Sequence, residues 1–252
     1  MGVMFGTFFL GMMVILFFVL PLKWLLGRLF GKEEWFEKFV RKGFGSWLQT
    51  LGYLGLVKGI RPAGAPSDGP CVVVCNHPGL FDVLFLIRYI PKLSVMVKYS
   101  LSRTLPLGSI LKALEYVLVP DHETITPLDT AEKAIKKIKA GRKLQLFPEG
   151  TRSPLGGLWH FRAGAFKIAR MTEVPVQPVL IRNDPPFLPK EDRWYYPRRA
   201  TSRLEMEFWE PIMPPEKGKE REFARDLEDR YRRALGLDRD SDRRISNPPA
   251  AP

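Results

Sequence analysis

The chain has only two cysteines and three histidines in 252 residues. Cys71 and Cys75 lie four apart on one apolar run. On a strand they would share a face but stand roughly 13 Å apart, too far for a disulfide. They read as reduced core residues, which favours a cytoplasmic setting. No Cys/His spacing suits zinc, no GxxxxGK[ST] or GxGxxG follows a strand, and no GxSxG elbow presents a serine. A metal site, a nucleotide phosphate loop and a serine nucleophile are therefore not indicated. Acidic residues are also outnumbered: 39 Lys and Arg against 27 Asp and Glu give a net charge of +12. That balance suits an anionic membrane or a phosphorylated substrate. It does not point to nucleic acid, because the cations are scattered and no zinc-finger, RRM or basic-zipper pattern appears. There is no internal repeat.

Charge is missing altogether from Val3 to Leu20. As a helix this stretch is about 27 Å long, slightly under a hydrocarbon core of about 30 Å. With Pro21 to Leu26 added and Lys23 snorkelling, it reads as a hydrophobic membrane anchor. It either spans, with Lys23, Arg28 and Lys32 marking a cytoplasmic flank, or enters one leaflet and turns at Pro21. A cleaved signal peptide is disfavoured because no basic n-region precedes the stretch. Positions 36, 39, 40, 44, 47, 48 and 51 then carry apolar residues at helical spacing among Lys38, Arg41 and Lys42. A helix lying in the headgroup layer is the expectation, and packing on the soluble domain is the alternative.

Three regions follow: an anchoring helical region over residues 1–60, a catalytic domain over 61–235 with a Pro/Gly-rich linker from Arg61 to Pro70, and a polar, disordered tail over 236–252. Within the domain, strand-like runs cover Cys71–Cys75, Leu93–Lys98, Tyr116–Val119, Lys143–Phe147, Pro175–Ile181 and Leu204–Trp209. Helix-like runs cover Leu80–Ile90, Leu105–Leu114, Pro127–Ala140 and Ala163–Thr172. This alternation predicts an α/β fold, a mostly parallel sheet flanked by helices. Lys217–Leu235 reads as an amphipathic helix with the stripe Phe223, Leu227, Tyr231 and Ala234, its charges forming a solvated face.

Two turns carry chemistry. Asn76-His77-Pro78-Gly79-Leu80-Phe81-Asp82 follows the first strand, where functional groups of α/β sheets collect. If the Pro-Gly turn folds back, Asp82 meets His77, fixes its tautomer and leaves the other ring nitrogen as a general base. The bland alternative is a histidine capping a helix. Phe147-Pro148-Glu149-Gly150-Thr151-Arg152-Ser153 follows another strand. Arg152 offers a planar fork for phosphate or carboxylate, and Gly150 lets backbone approach a ligand. Glu149 would orient Arg152 or bind a substrate hydroxyl. Lys98, ending a third strand, would add positive charge at the same sheet edge. A histidine base without a protein nucleophile points to direct activation of a substrate hydroxyl.

On these two turns the chain resembles the lysophosphatidic acid acyltransferase (1-acylglycerol-3-phosphate acyltransferase) family over roughly residues 70–212. The first motif is matched by His77 to Asp82 after Asn76, and the Phe-Pro-Glu-Gly-Thr-Arg-Ser motif by residues 147–153. Looser matches are Lys98-Tyr99-Ser100-Leu101 with Pro106 and Gly108, and Val174-Pro175-Val176-Gln177-Pro178-Val179. The resemblance implies that His77 and Asp82 are catalytic, that Lys98, Glu149, Gly150, Thr151 and Arg152 bind the acceptor, and that Val176 and Pro178 serve the acyl donor or its pocket. It implies no metal and no bound cofactor, with acyl-CoA or acyl-acyl-carrier protein as co-substrate. The expected partners are a phospholipid membrane, a lysolipid acceptor and, as one of the two thiol carriers, acyl-carrier protein; the expected location is the cytoplasmic face of a membrane. The default acceptor is 1-acylglycerol 3-phosphate. Another lysolipid is the alternative acceptor, and a non-catalytic lipid-binding protein the alternative class. Gly79, Leu80 and the bulky segment Asn183–Arg199, with Trp194-Tyr195-Tyr196, depart from the family pattern at positions that bear on the acceptor.

Overall fold

The structure is a computed structural model that describes residues 2–22, 24–25, 34–59, 62–104, 107–114, 116–119, 127–186 and 201–237. Lys23, Arg28, Lys32, Pro106, His122, Trp194-Tyr195-Tyr196 and the tail beyond residue 237 lie outside the described residues.

The element order is α1 (Gly2–Val14), α2 (Glu34–Tyr53), β1 (Val57–Lys58), β2 (Pro62–Ala63), β3 (Val72–Cys75), α3 (Asp82–Tyr89), β4 (Leu93–Lys98), α4 (Leu107–Ala113), β5 (Val117–Val119), α5 (Pro127–Lys139), β6 (Lys143–Leu146), α6 (Gly164–Thr172), β7 (Val176–Asp184), β8 (Ser202–Phe208) and α7 (Glu220–Leu235). The sheet runs β1-β8-β7-β3-β6-β4-β5, with β2 also on β8. Every pairing is parallel except β7 with β8. This is the expected α/β class, and the strand runs read from the sequence recur within a few residues.

β3 is central, and all four of its residues are buried. A strand covered on both faces needs side chains that are apolar on both, which is why Cys71 to Cys75 reads as an unbroken apolar run. Val73 and Cys75 enter the core beneath α2 and α3, with Trp47, Leu48, Leu51 and Phe85. Val72 and Val74 enter the core formed with α5, α6 and α7, beside Ile138, Phe166, Leu227 and Tyr231. The Arg61–Pro70 linker is fastened to the sheet: β2 pairs with β8, and Gln177 donates to Ala65 O at 3.1 Å and accepts from Ser67 N at 2.7 Å.

The N-terminal region departs from expectation. No helix among the described residues is long and apolar enough to cross a membrane. α1 covers 13 residues and runs into a π-helical turn at Ile15–Val19. Met12, Ile15 and Val19 are buried against Phe36, Val40 and Ile110, so this stretch docks along α2 and α4 rather than standing alone as an anchor. Its other side keeps Leu10, Phe17 and Phe18 exposed at 65%, 66% and 72%. Most of the apolar stripe of α2 is likewise committed inward: Phe36, Val40, Trp47, Leu48 and Leu51 are buried and Phe44 partly so, while Phe39 stays exposed. The headgroup-layer reading of that stripe therefore gives way to domain packing.

Candidate active site

β3 and β6 are adjacent parallel strands, so the turns that leave their C-terminal ends emerge side by side. That topology alone brings the two motifs together. As the chain leaves β3, the Asn76 side chain continues the ladder to β7. It donates to Ile181 O at 2.7 Å and accepts from Ile181 N at 2.8 Å. The main chain is thereby released to turn at Pro78-Gly79, and α3 begins at Asp82.

His77 Nδ1 lies 3.0 Å from Asp82 Oδ2. The same oxygen accepts the Gly79 N–H at 2.7 Å. A carboxylate oxygen is acceptor only, so Nδ1 carries the ring proton and Nε2 is left with its lone pair. The His77 ring stacks on Phe147, with centroids 3.7 Å apart and planes 9° from parallel. Its orientation is thus fixed from one edge and one face. Asp82 is 1% exposed while His77 is 17% exposed, which leaves the imidazole as the accessible member. Burial pushes the Asp82 carboxyl above the usual range, opposed by His77, the Gly79 amide and nearby Arg152.

Glu149 is not where the sequence reading sends it. It is buried, and both carboxylate oxygens are taken by protein donors. Oε1 accepts from His77 N at 3.0 Å and Ser153 Oγ at 2.7 Å, and Oε2 accepts from Trp159 N at 2.9 Å. Ser153 also bonds both ways across the motifs, its N–H reaching His77 O at 2.8 Å and its Oγ lying 3.2 Å from His77 N. Glu149 therefore acts as a buried cross-brace between the two motifs. Burial raises its pKa to about 7 against those hydrogen bonds.

Gly150 takes a left-handed conformation, φ +73°, in the turn closed by its N–H to Phe147 O at 3.0 Å. Thr151 and Arg152 are half-buried at the rim of this turn. Arg152 O accepts from Trp159 Nε1 at 3.0 Å, which fixes the main chain behind its guanidinium. Lys98 is exposed at the end of β4, separated from β3 by β6. Val176 and Pro178 are buried in the body of β7, paired with Val72 and Val74, and Val176 faces the core under α5, α6 and α7. The structure does not bring these two to His77; they are core positions.

Some site residues are not evident in the sequence. Asn76 and Ser153 stand within the motifs, but their roles depend on partners in another strand. Trp159 has no local signal. Glu228 and Arg232, read as part of a solvated face, are 5% and 4% exposed. Glu228 accepts from Phe161 N at 2.9 Å and lies 3.0 Å from His160 Nδ1, and Arg232 donates to Glu228 and to Leu158 O at 2.9 and 2.8 Å. Their i, i+4 spacing beside Leu227 and Tyr231 was the available hint. Among the described residues, no group of three or more His, Cys, Asp or Glu side chains is arranged to hold a metal ion.

The sequence model of the Acyltransferase family matches residues 58–182. A chloroplastic 1-acyl-sn-glycerol-3-phosphate acyltransferase of Brassica napus is 30% identical over 123 residues, 49% of this chain and 36% of that protein. A 1-acyl-sn-glycerol-3-phosphate acyltransferase of Borreliella burgdorferi is 30% identical over 127 residues, half of each chain. The matched stretch thus spans 36% and 50% of the length of these two relatives. The crystal structure of a 1-acyl-sn-glycerophosphate acyltransferase from Thermotoga maritima superposes with a TM-score of 0.69 at 24% identity, covering 94% of this chain and 96% of that one. That likeness is one of fold.

Proposed function

Residues 58–182 belong to the acyltransferase family, and from that premise we propose that the protein moves a fatty acyl group from an acyl thioester to the free hydroxyl of 1-acylglycerol 3-phosphate. His77 Nε2 takes the hydroxyl proton as the alkoxide attacks the thioester carbonyl. A tetrahedral oxyanion forms, the carbon–sulfur bond breaks, and the proton leaves with the thiol. Asp82 holds the ring through Nδ1 and stabilises the imidazolium formed midway. Arg152 engages the acceptor phosphate as a charged fork.

The observation that carries this reading is the 3.0 Å contact between His77 Nδ1 and Asp82 Oδ2 at the end of the central strand. A hydroxyl acceptor fits the site because the described histidine–carboxylate pair has no serine or cysteine nucleophile built into it. Coenzyme A and acyl-carrier protein are both acidic, so the chain's charge of +12 suits either as thiol carrier. We place the enzyme at a membrane surface because its acceptor is a lysolipid and the outer side of α1 and the following turn exposes Leu10, Phe17 and Phe18.

The test is thiol release from acyl thioesters by detergent-purified protein, with lysolipids added singly and His77→Ala run alongside. Turnover with 1-acylglycerol 3-phosphate that disappears in His77→Ala is expected. Turnover that His77→Ala retains in full would overturn the mechanism.

A further inference from the structure

Arg162 lies outside both motifs, yet its backbone is tied to one of them. Its N–H donates to Pro148 O at 2.9 Å, so its Cα is held beside the Glu149–Arg152 turn. Its side chain lies over Gly150. A Cβ built on that glycine would stand 3.2 Å from both Nε and Cζ of Arg162 and 3.5 Å from Nη1. Gly150 is required for its positive φ, and a Cβ there would also press on the Arg162 guanidinium, which would have to give by a few tenths of an ångström. Arg162 is exposed, and among the described residues it has no carboxylate partner. The turn beneath it carries a second guanidinium, that of Arg152, two residues beyond Gly150.

The segment bearing Arg162 is held from two sides. Glu149 takes Trp159 N in front, and Glu228 takes Phe161 N behind while Arg232 holds Leu158 O. A cation on so fixed a backbone, lying on a turn whose sequence carries a second arginine, is placed for an anion. A guanidinium pair also offers more donors than a single arginine, which matches the several oxygens of a phosphomonoester.

We propose that Arg162 is a second contact for the anionic headgroup of the acceptor, gripping the phosphate across Gly150 from Arg152. This rests on the reading of the acceptor as a phosphomonoester lysolipid. The phosphate would sit over the Gly150 turn, with the glycerol hydroxyl extending toward His77 Nε2.

The experiment measures kcat and KM for 1-acylglycerol 3-phosphate in detergent micelles, with thermal melting, for wild type, Arg162→Ala, Arg162→Lys and Arg152→Ala. Loss of one charge-assisted contact should raise KM in Arg162→Ala by roughly 10- to 100-fold. Its kcat should change much less than its KM, Arg162→Lys should recover much of the loss, and the melting temperature should hold because the side chain is exposed. A KM in Arg162→Ala within twofold of wild type overturns the proposal, whatever Arg152→Ala does. So does a joint fall of kcat and melting temperature that Arg162→Lys fails to rescue, since that marks a structural role. If wild type itself does not turn over the phosphomonoester, the acceptor reading fails and the assignment falls with it. If wild type does so and only Arg152→Ala raises KM, the acceptor reading stands alone.

Discussion

Glu149 Oε1 accepts the main-chain N–H of His77 at 3.0 Å, so the two motifs are joined through the backbone of His77 and the side chain of Glu149. Any shift of the turn after β6 is passed to the position of His77.

The buried Glu149 carboxyl gives this brace a pH dependence of known sign. Its pKa in the folded protein is raised to about 7 from an ordinary 4.5. The folded state therefore keeps a proton that the unfolded chain has lost between these values. Stability from this group is full below pH about 4.5, falls as pH rises to about 7, and levels off above, a change on the order of 3 kcal/mol. Melting temperatures of wild type and Glu149→Gln, followed from pH 5 to 8, should differ in slope, with the variant flatter. Parallel curves would mean that Glu149 titrates normally.

Asp82→Asn should separate activity from stability. An asparagine with its oxygen in the Oδ2 position keeps the Gly79 and His77 hydrogen bonds. It loses the charge that steadies the imidazolium, and it also loses the cost of burying that charge. The expected result is a kcat lower by on the order of 10²- to 10⁴-fold with KM little changed. The melting temperature should be equal to wild type or higher. A variant with near-normal kcat would show that the carboxylate charge is dispensable.

Asn76→Ala removes both hydrogen bonds that tie the end of β3 to Ile181, whose N–H and C=O are then buried without partners. At about 1–3 kcal/mol for each orphaned group, the melting temperature should fall by roughly 5–15 °C. Activity at low temperature should fall as well, because His77 is the next residue. Differential scanning calorimetry alongside thiol release checks both; an unchanged melting temperature would mean that water or a shifted strand takes over the contacts.

The sheet was legible because its central strands are buried on both faces and its helices on one, which imprints long apolar runs and helical spacing. His77 and Asp82 were legible because a turn of five residues brings them together locally. Glu149 was misread because its partners, His77 N and Trp159 N, belong to other segments, and no local pattern says that a carboxylate faces inward. Arg162, Glu228 and Arg232 were missed for the same reason: each has partners in a loop or turn that no local spacing brings to it. Val176 and Pro178 sit in a motif, yet β7 lies beside β3 and buries them. For the N-terminal stretch, hydropathy reported an absence of charge but not that Met12, Ile15 and Val19 have a protein surface to cover.

That division of the N-terminal helix yields the last prediction. Phe17 and Phe18 are 66% and 72% exposed, whereas Ile15 is 8% exposed against the Phe36, Val40 and Ile110 cluster. If the outward side meets a lipid surface, Phe17→Asp with Phe18→Asp should weaken sedimentation with anionic phospholipid vesicles. It should leave the melting temperature within a few degrees of wild type, because neither ring is part of the core. Ile15→Asp does the reverse: a buried, unpaired carboxylate costs several kcal/mol and lowers the melting temperature while the outward aromatic residues remain. Equal vesicle binding by wild type and the double variant would reject this side as the lipid contact and shift attention to the basic surface. A large loss of stability in the double variant would mean instead that these rings cover protein.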